Sequence, residues 1–230
     1  MNLLALDTST ECCSVALLLD HELTLREELT ERGHAELILP FVDQLLTAAG
    51  LGLCDLHGIA FGRGPGAFTG LRIAAGVVQG LAYAAGLRVA PVSSLAAVAE
   101  RIPGAVGDTV LVCNDARMGE LYWGHFALGT DGVVTALDAE RVGPPGSIPA
   151  RADARHAAGN GLARHADLRA ALTARGLRLH EGLYPRADAI ARLGAACFAA
   201  GRTVAAEEAL PIYVRDEVAT ARAGPVMPLQ

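Results

Sequence analysis

Three short apolar runs, followed by alternating helix and strand patterns, limit the folds open to this chain of 230 residues. Asn2 to Leu6 is apolar and ends at Asp7-Thr8-Ser9-Thr10. Cys13 to Leu19 is a second run, closed by Asp20-His21, and Leu23 to Leu29 alternates imperfectly with polar residues. Short runs joined by tight polar turns predict an antiparallel meander. The first run is apolar on both faces, which predicts a central strand. From His34 to Ala49 the period changes. Ile38, Phe41, Val42, Leu45, Leu46 and Ala49 fall at helical spacing, and Gly50 is a stop signal. Proline inside a helix costs about 3 kcal/mol, so the regular helix is expected to begin near Pro40 or to kink there. Gly58 to Gly62 reads as a buried strand, Ala67 to Ala85 as a helix and Arg88 to Val92 as a strand. Ser93 or Ser94 then caps a short helix to about Arg101. The order β-β-β-α-β-α-β-α predicts an α/β fold in which a mixed sheet carries helices on its faces.

Pro103-Gly104 marks a boundary, giving expected subdomains 1–102 and 103–230. Thr109 to Asn114 reads as a buried strand with Glu120 to Leu128 as its hairpin partner. Val142 to Pro149 reads as a loop and Ala157 to Gly161 as a turn. Asp188 to Ala200 reads as a helix with Ile190, Leu193 and Cys197 on one stripe, and Gly224 to Gln230 as a loose tail. This second unit has the form of a smaller, degenerate copy of the first, and its last segment is expected to pack back on the first subdomain.

The second helix is poor in propensity. Gly70, Gly76 and Gly80 each cost about 1 kcal/mol relative to alanine in a helix interior. The small residues fall in two rows spaced by four, Gly66-Gly70-Ala74 and Gly76-Gly80-Ala84, each on one face. Such a helix needs close partners, either its own sheet or another chain. Ahead of it runs Gly62-Arg63-Gly64-Pro65-Gly66-Ala67-Phe68-Thr69-Gly70-Leu71-Arg72, which has the glycines of a phosphate loop without the Lys-Ser or Lys-Thr that one needs. All 19 basic residues are arginine. P-loop lysines, Schiff-base lysines and Ser-Lys dyads are therefore excluded, and the glycines are read as serving close packing.

The net charge of -6 sits in residues 1–100, where eleven acids face five arginines. A stand-alone nucleic-acid binder usually shows the opposite sign. The stretch from Arg141 to Arg178 is the exception, with seven arginines against Asp153 and Asp167, and it reads either as a solvated face or as a nucleic-acid contact. Five scattered cysteines without a C-x-x-C pair fit reduced thiols in a cytoplasmic protein. The N-terminus does not have the form of a signal peptide. No apolar run approaches a membrane span, so no membrane partner is expected.

Asp7 with Thr8, Ser9 and Thr10 can hold a hydrated Mg²⁺ or face a phosphate; equally, it can form an Asx turn whose hydroxyls cap backbone amides. His34 opens the first helix. A metal pair would need histidine at 38, which is Ile38, so no metal site is expected. Asp115 and Glu120 can pair as acid and base, or Asp115 and Arg117 can stabilise a hairpin turn.

Taken together, Leu4 to Thr10, His34-Ala35-Glu36 with Leu39-Pro40, Gly64 to Arg72, Asp115-Ala116-Arg117 with Glu120-Leu121-Tyr122, and Pro211 to Arg215 resemble the TsaB (YeaZ) family. The resemblance spans nearly the whole chain. It implies an actin/hexokinase-like (ASKHA) fold of two subdomains, the second degenerate. It also implies kinship to the catalytic subunit TsaD, whose metal-binding histidine pair is broken here at Ile38. A family member is expected to be a non-catalytic subunit that activates a TsaD-like enzyme in tRNA threonylcarbamoyladenosine formation. TsaE-like ATPase and tRNA join through the complex, ATP and Mg²⁺ belong to the complex, and a homodimer forms when the partner is absent. The partner surface is expected on the two N-terminal helices, at His34, Leu37, Ile38, Phe41, Phe68, Leu71, Arg72, Ala74, Ala75 and Val78. A vestigial nucleotide cleft is expected at Asp7, Thr8, Ser9 and Asp115. The alternative is an ASKHA-type nucleotide-dependent enzyme or a glycoprotease-like hydrolase.

Overall fold

Two five-membered strand arrays of the same connectivity form the frame. The structure, a computed structural model, describes residues 1–130, 133–149 and 151–215. In the first sheet β1 (Asn2–Asp7), β2 (Cys12–Leu19) and β3 (Glu22–Leu29) make the antiparallel meander. β4 (Gly58–Gly64) and β5 (Arg88–Ser93) add in parallel on the other side of β1, giving the order β3-β2-β1-β4-β5. In the second sheet β6 (Thr109–Asp115), β7 (Leu121–Leu128) and β8 (Val134–Ala136) repeat the meander. β10 (Ala154–Gly159) and β11 (Arg178–Glu181) repeat the parallel extension, so the order is β11-β10-β6-β7-β8, with β9 (Arg141–Gly143) also paired to β7. The doubled mixed sheet, with helices on its faces, is the ASKHA-like arrangement. The turn expected over Ala157 to Gly161 is corrected: Ala157 to Gly159 belong to β10, beside β6. Part of the loop expected over Val142 to Pro149 is β9 and a single 3-10 turn.

β1 is central because both of its faces are apolar. Leu4 and Leu6 point into a cluster with Ile38, Val42 and Leu45 of α1 (His34–Ala49) and Ala74, Ala75 and Val78 of α2 (Phe68–Ala85). Leu3 and Ala5 point the other way, onto Ala187, Ile190 and Ala191 of α5 (Ala187–Ala199). Alternation along one strand thus feeds two cores. In the second sheet, Val110 and Val112 meet Leu95 and Val98 of α3 (Ser94–Glu100), and Leu111 and Cys113 face the Leu172 of α4 (Ala166–Ala174). α3 follows the first sheet but packs on the second; α5 follows the second and packs on the first. The two lie together in the middle layer.

α1 runs unbroken through Pro40, which lies on its exposed side. Gly50 ends it in the left-handed conformation, its N–H reaching the carbonyls of Leu46 and Thr47. The Ser93 side chain caps α3 by accepting from the Ala96 N–H at 3.0 Å. In the second half, β9 and the 3-10 turn occupy the chain position that α1 holds in the first.

Candidate functional site

The turn between β1 and β2 uses up its own polar groups. Asp7 is fully buried, and its Oδ1 accepts from the Ser9 N–H (2.9 Å) and the Ser9 hydroxyl (2.8 Å), which is an Asx turn. The Thr8 hydroxyl donates to the Gly70 carbonyl at 2.7 Å, and the Ser9 carbonyl accepts from the Ala67 N–H at 2.8 Å. The glycine loop is pressed onto this turn. A Cβ on Gly70 would lie 1.9 Å from the Thr8 carbonyl oxygen, and one on Gly66 2.4 Å from that of Ser9. Glycine is required at both because backbone meets backbone. The start of α2 therefore lies directly against the β1–β2 turn.

The second oxygen of Asp7 has no hydrogen-bond partner, and it borders, with the Ser94 hydroxyl, the place where a Cβ of Gly62 would fall. Burial pushes the Asp7 carboxyl up to about 6; the bonds from Ser9 oppose that shift only in part. Asp115 ends β6 as Asp7 ends β1, so the two carboxylates are topological equivalents. Asp115 accepts from the Arg117 N–H at 2.9 Å, and Arg164 Nε lies 3.2 Å from its other oxygen. Glu120 is paired with Arg215, so Asp115 and Glu120 serve separate ion pairs and form no acid–base couple. His34 points back from the start of α1, its Nε2 2.8 Å from the Thr10 carbonyl. No cluster of three potential metal ligands occurs among the described residues.

A cavity of about 560 Å³ opens between the two lobes. Its walls are the Thr8–Glu11 turn, the starts of α1 and α2, the β6–β7 turn, and the segment Ile212–Arg215. Thr8, Ser9 and Asp115 stand in the wall, whereas Asp7 lies beneath the turn. Two ion pairs reach across the cleft, Arg117 with Glu11 at 2.6 Å and Arg215 with Glu120, while Glu31, Arg32 and Glu36 also line it and make no ion pair among the described residues. Below it, Glu140 of the second lobe accepts from Ser93 and lies 3.5 Å from Arg63, both of the first. Sequence reasoning missed these ties, because nothing in the linear pattern pairs residues about fifty to a hundred apart.

The two N-terminal helices present a second feature. Ile38, Leu71, Ala74, Ala75 and Val78, expected on the partner surface, are corrected to the chain's own core, where each is at most 5% exposed. Burying them inside is what anchors both helices to the sheet. His34, Leu37 and Phe41 are half-buried, and Phe68 and Arg72 are exposed. The outer face of α2 carries Thr69, Arg72, Gly76, Gly80, Tyr83 and Ala84, and α1 adds Leu39. Tyr83 is 83% exposed and Leu39 50%. A Cβ on Gly76 or Gly80 would meet nothing within 4 Å among the described residues. The two small-residue rows therefore differ: Gly66-Gly70-Ala74 packs inward, and Gly76-Gly80-Ala84 faces out. At the start of α2, Tyr213 packs on Phe68 with ring centroids 5.2 Å apart, and its hydroxyl accepts from Arg72 Nε at 3.1 Å. The Ile212 N–H donates to the Arg63 carbonyl at 2.7 Å. Pro211 to Arg215 is thus a strap from α2 to the second lobe. Arg215 itself pairs with Glu120; Asp216 and Glu217, like the tail expected from Gly224, lie outside the described residues.

The arginines from 141 to 178 are largely engaged at home. Arg151 is paired with Asp153, Arg164 with Asp115 and Arg169 with Glu181; Arg175 donates to the Arg151 carbonyl, and Arg141 lies over the Trp123 ring. No described helix is long and apolar enough to cross a membrane.

Comparison with known proteins adds the following. A family model described as TsaD, tRNA N6-adenosine threonylcarbamoyltransferase, matches residues 25–140. The tRNA threonylcarbamoyladenosine biosynthesis protein TsaB of Escherichia coli is 39% identical over 226 residues, covering 95% of this chain and 96% of that protein. TsaB of Haemophilus influenzae is 50% identical over 124 residues, covering 54% of this chain and 52% of that protein. The solved structure of YeaZ from Pseudomonas aeruginosa superimposes with a TM-score of 0.80 at 42% identity, over 92% of this chain and 99% of that one.

Proposed function

This chain belongs to the TsaB family of tRNA threonylcarbamoyladenosine biosynthesis proteins, and on that premise we propose that it is a non-catalytic cytoplasmic subunit that binds and activates a TsaD-like threonylcarbamoyltransferase. The observation that carries this reading is the outer face of α2. Gly76 and Gly80 weaken the helix by about 1 kcal/mol each, and among the described residues nothing packs against them in return. Small residues in an i, i+4 row let another helix approach closely, and exposed Leu39, Phe68 and Tyr83 offer the apolar area to hold it. The partner face is thus Leu39, Phe68, Arg72, Gly76, Gly80 and Tyr83, with His34, Leu37 and Phe41 at its inner edge. A second copy of the chain uses the same face when the partner is absent. TsaE-like ATPase and tRNA engage through the assembled complex, which supplies the ATP and Mg²⁺ sites.

The cleft supports the same division of labour. A nucleotide-dependent enzyme would place Mg²⁺ on Asp7 and Asp115 and phosphates over the β1–β2 turn. Asp7 is sealed beneath that turn, and Asp115 is matched by Arg117 and Arg164. These two carboxylates do not fit a resident Mg²⁺.

Co-purification with a tagged TsaD-like partner tests the proposal. Gly80→Trp is expected to abolish recovery of the complex while Gly80→Ala retains it, with both variants folded. Wild-type recovery with both Gly76→Trp and Gly80→Trp would place the interface elsewhere.

A further inference from the structure

The outer edge of the second sheet holds a buried polar cluster that neither the cleft nor the docking face uses. His156 on β10 is 2% exposed, and His180 on the neighbouring strand β11 is half-buried. His156 Nδ1 lies 3.0 Å from His180 Nε2, and His156 Nε2 lies 3.3 Å from Asp108 Oδ2, in the turn that leads into β6. The ring centroids are 5.2 Å apart, which exceeds the nitrogen separation by about two ring radii. The rings therefore meet end-on, nitrogen to nitrogen. Two imidazoles that shared a metal ion would converge on it at an angle, so this is an N–H···N hydrogen bond and not an empty metal site.

Proton counting follows from that geometry. The Asp108 carboxylate takes the N–H at His156 Nε2, which leaves Nδ1 as the acceptor. His180 then donates from Nε2, and it can gain one further proton at Nδ1 with this bond intact. The next proton has to go on His156 Nδ1, where it would oppose the N–H of His180 at 3.0 Å. We propose that His156 and His180 are an acid-sensitive fastener of the β10–β11 seam, holding one proton between their facing nitrogens and releasing β11 when a second enters.

The surroundings favour this behaviour. Arg155 and Arg178 stand on the same two strands and oppose added positive charge; Asp108 is the carboxylate that faces the pair, and Glu181 further along β11 is engaged by Arg169. The loop 103–107 packed over His156 carries no charged residue, and Leu128 behind it is apolar. Burial, then the neighbouring His156, then Arg178 hold the His180 imidazole below its ordinary range. A histidine depressed in the folded state stabilises above the unfolded value of about 6.5, and that stability is lost as pH falls. β11 is the terminal strand of its sheet and pairs only with β10 among the described strands, so it is the element set free.

Imidazole nitrogen shifts of the full-length chain, followed from pH 8 to pH 4, test the proposal. The pair is expected to titrate in two steps more than about one unit apart. Hydrogen-exchange protection of Arg178 to Glu181, corrected for intrinsic rates, should fall roughly tenfold with the lower step. In His180→Gln, whose amide can donate to a neutral His156 Nδ1 or turn its oxygen toward a protonated one, that protection should not change over the same range. Independent titration of both rings near their ordinary value, or wild-type protection that does not change with pH, would overturn the proposal whether or not the variant folds.

Discussion

Gly70 and Gly80 lie on one helix and answer to different neighbours. A methyl group at Gly70 would strike the Thr8 backbone, which cannot swing aside. Gly70→Ala is expected to cost about 2–3 kcal/mol in urea denaturation. Gly80→Ala meets open space and should stabilise the isolated chain by about 1 kcal/mol through helix propensity. Equal effects at the two positions would refute the assignment of inward and outward rows. Both rows were legible in the sequence, but not which faced inward: glycine at spacing four looks the same against a carbonyl or against water. For the same reason Ala74 and Ala75, which looked suited to a partner, turned out to be core. Asp7 makes a separate prediction. Its carboxyl titrates near 6 in the folded chain, against about 3.9 when unfolded. The folded state therefore holds the extra proton between those values, and stability falls as pH rises through 6. Asp7→Asn keeps the acceptor for Ser9 and removes the buried charge. It should stabilise the chain by about 2 kcal/mol at pH 8, with the gain gone by pH 4. Thermal melts at both pH values measure this; a destabilised variant at pH 8 would show that the ionised carboxylate has a stabilising partner.

Elements were legible where apolar periodicity was strong. The meander, α1, α2, β5 and α5 follow from their patterns within a few residues. β10 was read as a turn because Ala154–Gly159 has no β-branched residue and ends in glycine; its strand state comes from lying beside β6, a tertiary cause. α4 has Leu172 as its one fully covered side chain, too little to show a stripe in an arginine-rich stretch. α1 contains Pro40 because its other side is held by Ile38, Val42, Leu45 and Leu46, so packing outweighs the local cost. Ties between elements were not legible at all. Glu140, with burial raising its carboxyl and Ser93 and Arg63 opposing that shift, joins the β8–β9 connection to the ends of β5 and β4. Glu140→Ala should cost about 2 kcal/mol in chemical denaturation. Glu11→Ala, which breaks a pair with a largely exposed Arg117, should cost under about 1 kcal/mol.

At the scale of the molecule, one sheet connectivity is used twice, and the helices that follow each sheet cross to cover the other. The first copy was legible from element order. The second was not provable from sequence, since the copies share topology and no recognisable residues. The cleft between them keeps the paired carboxylates of the central strands, but one is sealed and the other neutralised, and the glycine loop has become packing. On the proposed division of labour, activity comes from what the outer helices bind. Reconstitution tests this most directly: tRNA, the threonylcarbamoyl donor, a TsaD-like enzyme and its ATPase are combined with or without this chain, and modified adenosine is measured. Product is expected with the wild-type chain, little with Gly80→Trp or with the chain omitted, and none from the chain alone. Product made by this chain unaided, or full activity without it, would contradict the account.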